Sequence, residues 1–453
     1  MNEIADQGRR TTTGRTPQGY GARKLAVVLV AAVLRHGRAF DDAFAFTSEH
    51  ADHKDLESRD RGMARMIAST VLRRQGQIDA VLATFLDKPL PEKRGDLSSI
   101  LQTAAAQLLF MGAAPHAVIN IAVELARNDP TSARFDKLTN AVLRRVAERG
   151  ADLIAAQDAT RLNMPDWIWT RWADAYGDDV ARLIAAASLE QAPLDISVKS
   201  DAAGWAAKLG AEVLPTGTLR LAAEGRVEQL AGYDEGGWWV QDAAAAIPAR
   251  LLGDVKGKRV ADLCAAPGGK TLALAARGAH VTAVDQSADR LARVTANLSR
   301  VGLEAEIVEA DVTTWVPPEP FDAVLLDVPC SSTGTIRRHP DILRLKRPAD
   351  IAKLVPIQAR MLDNAVRMVK PGGLVVFCTC SLEPEEGIRQ IGALLRANRN
   401  LKRRPILALE FGGHSDWIGP EGDLRTLPFH LPRERPELSG MDGFFAARLV
   451  RKA

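Results

Sequence analysis

The sequence predicts an all-helical domain, then a small α/β element, then an open, doubly wound α/β sheet, and three patterns carry that prediction. Apolar residues recur at helical spacing from Leu25 to about Arg149, short apolar runs separated by turns fill 194–230, and apolar strands alternate with helical segments from Gly236 onward. A chain of 453 residues is also too long for one ordinary core, so two or three domains are expected.

Residues 1–22 are rich in Thr, Gly, Gln and Arg and hold almost no large apolar side chains, so they read as a basic tail that cannot offset the entropy of folding. The helical domain is placed at 23–155. Its periodicity is plain in Met63, Met66, Ile67, Thr70 and Val71 and again in Ile78, Val81, Leu82 and Phe85, with breaks at Pro89, Pro91, Pro115 and Pro130. A linking segment is placed at 156–235: helix over 161–190, with Trp167, Trp169, Trp172 and Tyr176, then strand, helix, strand, strand over 194–230. The remainder, 236–453, holds strands at Arg259 to Cys264, His280 to Asp285, Ala305 to Asp311, Phe321 to Val328 and Leu374 to Cys380. Strands separated by helices pair in parallel through right-handed crossovers, and such sheets bind ligands at the carboxyl ends of their strands.

Apolar residues make up 46% and charged residues 25%, which fits a globular protein and excludes disordered and fibrous classes. The apolar run Leu25 to Leu34 is about half the length that spans a bilayer, and no signal-peptide cleavage pattern is seen, so the expected location is the cytoplasm, with no membrane partner. There the four cysteines, 264, 330, 378 and 380, are reduced thiols. Residues 1–150 carry 22 Lys and Arg against 17 Asp and Glu, whereas the rest carries 37 against 39. The basic excess therefore lies in the N-terminal third, which suits RNA docking.

Asp262-Leu-Cys-Ala-Ala-Pro-Gly-Gly-Lys-Thr271 follows the first strand of the large sheet and opens a helix. A Walker loop would need Gly at 264, where Cys stands, and no GxGxxG is present. The second strand ends in Asp285, where a carboxylate can accept from both ribose hydroxyls, and the third in Asp311, where one can accept from an adenine amino group. These acids outline an adenosine pocket with no phosphate to neutralise, and S-adenosylmethionine fits that outline. The expected cofactor set is Cys264, Ala265, Ala266, Pro267, Gly268, Gly269 and Lys270 with Asp285, Asp311 and Asp327.

The fourth strand ends in Asp327-Val-Pro-Cys330 and the fifth in Cys378-Thr-Cys380, so two thiols and an acid face one crevice. Carbon 5 of cytosine is too weak a nucleophile to take a methyl group unaided. A thiolate that adds to C6 turns the ring into an enamine that can attack, and an acid such as Asp327, raised by burial, can hydrogen-bond the charge that develops toward N3 and O2. Position alone does not choose between Cys330 and Cys380. Cys264 and Cys378 read as packing. Zinc is disfavoured because no CxxC or nearby His supplies a fourth ligand, and no metal is expected. Nitrogen methylation is disfavoured because Asp-Val-Pro-Cys stands where an Asn/Asp-Pro-Pro-aromatic loop would be needed.

These residues resemble the RNA cytosine-5 methyltransferases that carry a Pro-Cys and a Thr-Cys motif, and the likeness covers nearly the whole chain: Gly237-Trp-Trp-Val-Gln-Asp242, Asp262 to Thr271, Asp327 to Gly334, Thr379-Cys-Ser381 and Asp442-Gly-Phe-Phe-Ala-Ala-Arg448. The resemblance implies a class I, Rossmann-like methyltransferase sheet, Cys380 as nucleophile and Cys330 as the thiol that helps release the product. Thr335-Ile-Arg-Arg-His-Pro-Asp-Ile342 looks like the loop of the bacterial Sun/Fmu-type enzymes. Gln107-Leu-Leu-Phe, Ala117 to Glu124 and Asn140-Ala-Val-Leu-Arg-Arg145 are similar to a NusB-like RNA-binding fold. That combination implies 16S rRNA as substrate, at the cytosine usually numbered 967, with tRNA or another RNA as the alternative and a non-catalytic ribosome-assembly factor as a further one. A monomer is favoured. Arg337, Arg338, Arg344, Lys346 and Arg347 follow the Pro-Cys loop, where cations can hold RNA phosphates beside a flipped base. The chain departs from the family at Ser332, where Gly or Ala is common, and at Gly387, where Asn is usual.

Overall fold

The computed structural model describes residues 18–50, 53–222 and 226–453, in two compact units, Met1–Asn163 and Met164–Ala453. Residues 1–17 of the expected basic tail lie outside the described residues. The helix α1 begins at Tyr20, inside the stretch assigned to that tail, and the Tyr20 hydroxyl accepts from Asn128.

The first unit is all helical: α1 (Tyr20–Leu34), α2 (Phe40–Glu49), α3 (Ser58–Thr84), α4 (Leu97–Phe110), α5 (Pro115–Asn128), α6 (Asp136–Ala155) and α7 (Ala159–Asn163). Pro115 opens α5 at a position where its missing N–H costs nothing. The spacing places Ile67, Val71, Ile78 and Val81 of α3 in the core. Short α7, expected in the linking segment, belongs to this unit for a packing reason. A Cβ on Gly76 would meet the Leu162 carbonyl oxygen at 1.7 Å, so only glycine allows the approach. Buried Asn163 then donates to Gln77 Oε1 (2.9 Å) and accepts from the Gln77 N–H (3.2 Å).

The second unit opens with α8 (Asp166–Tyr176) and α9 (Asp178–Ser188), followed by β1 (Leu194–Val198), α10 (Ala202–Leu209), β2 (Glu212–Val213), β3 (Leu219–Leu221) and β4 (Trp238–Val240). These strands form an antiparallel sheet of order β2-β3-β1-β4. Its fourth strand comes from residues expected in the large-sheet domain, because buried Trp238 and Trp239 pair with Val198 and Ser197. Arg220 and Asp195 join β3 to β1 by two 2.7 Å bonds, both side chains fully buried. Removing one partner of such a pair costs about 3–5 kcal/mol.

Then come α11 (Ala243–Arg250), β5 (Arg259–Leu263), α12 (Gly269–Ala276), β6 (His280–Asp285), α13 (Ala288–Val301), β7 (Glu306–Glu309), β8 (Phe321–Asp327), α14 (Ile342–Leu345), α15 (Pro348–Met368), β9 (Val369–Thr379), α16 (Ile388–Ala397), β10 (Leu401–Arg403), β11 (Leu424–Thr426) and β12 (Phe444–Arg451). The main sheet has the order β10-β12-β9-β8-β5-β6-β7, with β11 paired to β12. Pairs among β5 to β9 are parallel and those made by β12 antiparallel. Side chains alternate between its faces, as strand geometry requires. Val260, Leu325 and Val376 pack with Ile247 on one side, and Ala261, Val324 and Phe377 with Leu362 on the other. The chain leaves β5 toward β6 and later returns on its other side as β8. That reversal opens a crevice at their carboxyl ends.

Candidate active site

Three strand ends meet at this crevice. After β5, Cys264 turns left-handed (φ 60°) and Gly268 (φ 106°) caps α12, where an added Cβ would meet Val294 at 3.2 Å. Asp262, fully buried beneath the turn, accepts from Thr271 Oγ1 (2.6 Å), and burial pushes its carboxyl up to about 7. Asp285 at the end of β6 is 2% exposed and accepts from the Ala266 N–H (3.3 Å) and Arg290.

One cavity of about 190 Å³ lies against Asp285, Gln286, Val312, Met361, Cys330 and Cys380. A second, of about 480 Å³, is lined by Lys270, Asp327, Thr335, Arg338, Phe444 and again Cys380. Cys380, Asp327, Cys264 and Ala266 border both. Cys330 borders only the first. This asymmetry between the thiols is not legible in the sequence. Burial pushes the Cys264 thiol up, and its sulfur packs on that of Met361 (4.0 Å). Cys378 is likewise raised by burial, lies 3.5 Å from Asp327 and has no exposed surface. Both fit the expectation of packing thiols.

Cys330 and Cys380 bring their Sγ atoms within 3.4 Å. The hydrogen bond between them lowers Cys330 and, with burial, raises Cys380. Ser332, the residue that departs from Gly or Ala, places its hydroxyl 3.8 Å from Cys330 and 3.6 Å from Cys380. A Cβ on neighbouring Gly334 would meet the Gly443 carbonyl at 1.9 Å and that of Cys380 at 2.8 Å, so a glycine closes the Pro-Cys loop onto the Thr-Cys strand.

Fully buried Glu386, which sequence reasoning missed, clasps the two loops. It accepts from the Ser331 N–H (3.0 Å) and hydroxyl, the Ser381 hydroxyl (2.5 Å) and Gln358 (2.9 Å). Its only sequence signal is its place in the acidic pair after the Thr-Cys motif. Arg425 donates to the Ser381 carbonyl (2.6 Å), and Arg171 of α8 bonds Glu383 (2.5 Å) and Glu385 (2.8 Å). Gly387 makes room for this packing: an added Cβ would lie 3.0 Å from the Phe445 ring and 3.1 Å from Arg425.

Several expectations are corrected. Asp327 does not donate a hydrogen bond: its Oδ2 accepts from Lys270 Nζ (2.6 Å) and its Oδ1 from Cys378. Lys270 was expected only at the cofactor; burial acts to lower it, but Asp327 and Cys378 outweigh burial and hold it firmly protonated. Asp311 is exposed and accepts from the Thr313 N–H and hydroxyl (both 2.8 Å), while its neighbours Ala310 and Val312 line the first cavity instead. Of the five cations assigned to RNA, Arg337 is 2% exposed and donates to the Ser439 carbonyl (2.7 Å). Arg338 lies between buried Asp242 (2.6 Å) and Asp442 (3.3 Å), and those two acids override burial to raise it. Arg344 is half-buried, and exposed Arg347 donates to the backbone carbonyls of Arg344 and Lys346 (both 2.8 Å). Neither these two nor Lys346 lines either cavity. Among the described residues no cluster of three His, Cys, Asp or Glu is arranged to hold a metal, and no helix is long and apolar enough to cross a membrane.

Comparison with known proteins gives two family matches: residues 249–450 match the description 16S rRNA methyltransferase RsmB/F, and residues 21–148 match the NusB family. The ribosomal RNA small subunit methyltransferase B of Salmonella arizonae is 32% identical over 448 residues, covering 95% of this chain and 98% of that protein. The protein of the same name from Xylella fastidiosa strain Temecula1 is 34% identical over 452 residues, covering 96% and 98%. Among solved structures, PH0851 has a TM-score of 0.73 at 23% identity, covering 96% of this chain and 100% of that one. NSun6 from Pyrococcus horikoshii, solved with SFG, has a TM-score of 0.54 at 17% identity, covering 64% and 98%.

Proposed function

The chain belongs to the RsmB/F family of 16S rRNA methyltransferases, and from that premise we propose that it methylates carbon 5 of a 16S rRNA cytosine, the one usually numbered 967, through a covalent bond from Cys380 to C6. The substrate RNA is met in the cytoplasm, and the NusB-like helices assist in docking it.

S-adenosylmethionine is the cofactor, and the residues present suit it: a glycine turn and a buried acid at Asp285, with Arg290, the cation lining that cavity, paired to Asp285 at 3.2 Å. When bound, it supplies an electrophilic methyl group. Ala266, Asp285, Gln286, Ala310 and Val312 would hold it in the first cavity, with the target base in the second.

The observation that carries the choice of nucleophile is that Cys380, and not Cys330, borders both cavities. The two sulfurs lie 3.4 Å apart, and a thiolate at Cys330, which that hydrogen bond favours, can take the proton of the Cys380 thiol. As that proton settles on Cys330, Cys380 Sγ bonds to C6, and negative charge moves toward N3 and O2. The Lys270 ammonium, fixed by Asp327, supplies the cation on that side of the cavity. After C5 is methylated, its proton leaves to water and the Sγ–C6 bond breaks. Cys330 returns its proton to the departing Cys380 sulfur, restoring the starting pair.

Incubation with labelled S-adenosylmethionine and 16S RNA is expected to yield 5-methylcytosine, and Cys380→Ala to abolish it. Product formed by that variant would refute the assignment. Bisulfite sequencing of total RNA from a deletion strain then identifies the cytosine, and loss of methylation in a tRNA instead would replace the substrate.

A further inference from the structure

A third cavity of about 610 Å³ lies in the second unit, where the small sheet faces α11 and α12. Its floor is apolar, with Trp239, Ala246, Ala273 and Phe411, and its cationic lining residues are Lys199, Arg250 and Arg277. Among the described residues none of the three makes an ion pair. Lys199 donates to the carbonyls of Val301 (3.0 Å) and Gly302 (3.3 Å), Arg277 to those of Ala249 (2.7 Å) and Gly253, and Arg250 to that of Pro215 (3.4 Å). The one acid in the lining, Glu410, gives both oxygens to Arg448 at 2.9 Å. Neutral carbonyls orient these cations without cancelling their charge, so the cavity is electropositive. Burial lowers the basicity of both arginines, and Arg250 lowers that of Arg277 further, effects that Glu410 at Arg250 and Asp254 at Arg277 only partly oppose and that a bound anion would relieve.

Two features say which anion fits. Trp239 borders both this cavity and the one assigned to the target base. Lys270, beside Asp327, and Arg277 stand at opposite ends of α12, seven residues or about 10 Å of helical rise apart. A strand leaving the base cavity can therefore reach the third cavity within a few nucleotides. We propose that this cavity binds backbone phosphates of the RNA strand flanking the target cytosine, with Lys199, Arg250 and Arg277 as the phosphate contacts. The proposal rests on the reading of the protein as an RNA cytosine methyltransferase.

The test uses the full chain, a 16S rRNA fragment and the double variant Lys199→Gln/Arg250→Gln, with Lys199→Arg/Arg250→Lys as the charge-retaining control. Each neutralised single-strand phosphate contributes about 0.7 to the slope of log affinity against log salt. The Gln variant is expected to bind RNA with a slope shallower by about 1.4 and to raise the KM for RNA by about tenfold, with kcat at saturating RNA and the affinity for S-adenosylmethionine unchanged. The charge-retaining variant keeps the wild-type slope, and equal melting temperatures exclude misfolding as the cause. An unchanged slope and KM in the Gln variant would overturn the proposal. So would calorimetric binding of AMP that the Gln variant loses while its RNA slope stays the same, since the occupant is then a free nucleotide. Failure of the wild-type protein to form 5-methylcytosine tells against the underlying reaction instead, and the slope comparison still reads the cavity.

Discussion

The hydroxyl oxygens of Ser331 and Ser381 lie 3.0 Å apart and both rest on the carboxylate of Glu386. Each serine follows one of the two cysteines, so Glu386 sets the spacing of the thiols without touching the base. Glu386→Gln turns an amide toward donors that need an acceptor, and stability is expected to fall by about 1–3 kcal/mol. A loss of packing alone would leave the rate untouched well below the melting temperature. Slower formation of the protein–RNA adduct at such a temperature, with unchanged S-adenosylmethionine affinity, is the expected outcome, and a wild-type adduct rate contradicts the positioning role.

Cys330→Ala removes the proton that the departing sulfur takes up. A covalent protein–RNA complex is expected to accumulate and to appear as a shifted band on a denaturing gel, at stoichiometry approaching one. If no shifted species forms, Cys330 has no part in release.

Ser332 stands within reach of both sulfurs, and its hydroxyl bond lowers the Cys380 thiol against the larger opposing effects of Cys330 and burial. Ser332→Ala is expected to move the alkaline-rising limb of the pH profile of adduct formation to higher pH and to slow the reaction a few-fold near neutrality, with the plateau rate kept. Superimposable profiles would show that the hydroxyl has no influence on the thiolate.

Burial raises Asp262 to about 7 in the folded protein, from an ordinary value of 3.8. The native state therefore holds this proton where the unfolded chain has lost it. The contribution to stability is fully present below about pH 4 and is lost as pH rises through about 7. Asp262→Asn keeps an acceptor for Thr271 and removes that dependence. Its melting temperature, measured relative to wild type, is expected to climb between pH 5 and pH 8; parallel curves over that range would rule the assignment out.

The sequence made the parallel strands legible because β5, β6 and β8 are short segments centred on Val, Ala and Leu and separated by helical stretches. It also located Cys330 and Cys380, since chemistry at strand ends follows from the fold. The β10, β11 and β12 pairings stayed hidden, because they join segments far apart in the chain and carry no local periodicity. The surroundings of Arg337 and Arg338 stayed hidden for the same reason. A pair of arginines expected at RNA phosphates gives no sign of Asp242 and Asp442, 96 and 104 residues away, which the fold brings beside Arg338. The partners of Asp327 and Glu386 were equally out of view, whereas the helical spacing of apolar residues was enough to separate the helical N-terminal unit.

The position of β12 bears on how this enzyme comes into being. Phe444–Arg451 pairs with β9 on one side and β10 on the other, and Phe445 stands opposite Thr379, one residue before Cys380. The strand beside Cys380 is therefore supplied by a segment 66 residues further along the chain than its partner Thr379. Such distant pairing forms slowly, so the crevice at the ends of β8 and β9 is expected to assemble after the helices of the first unit, whose contacts are more local.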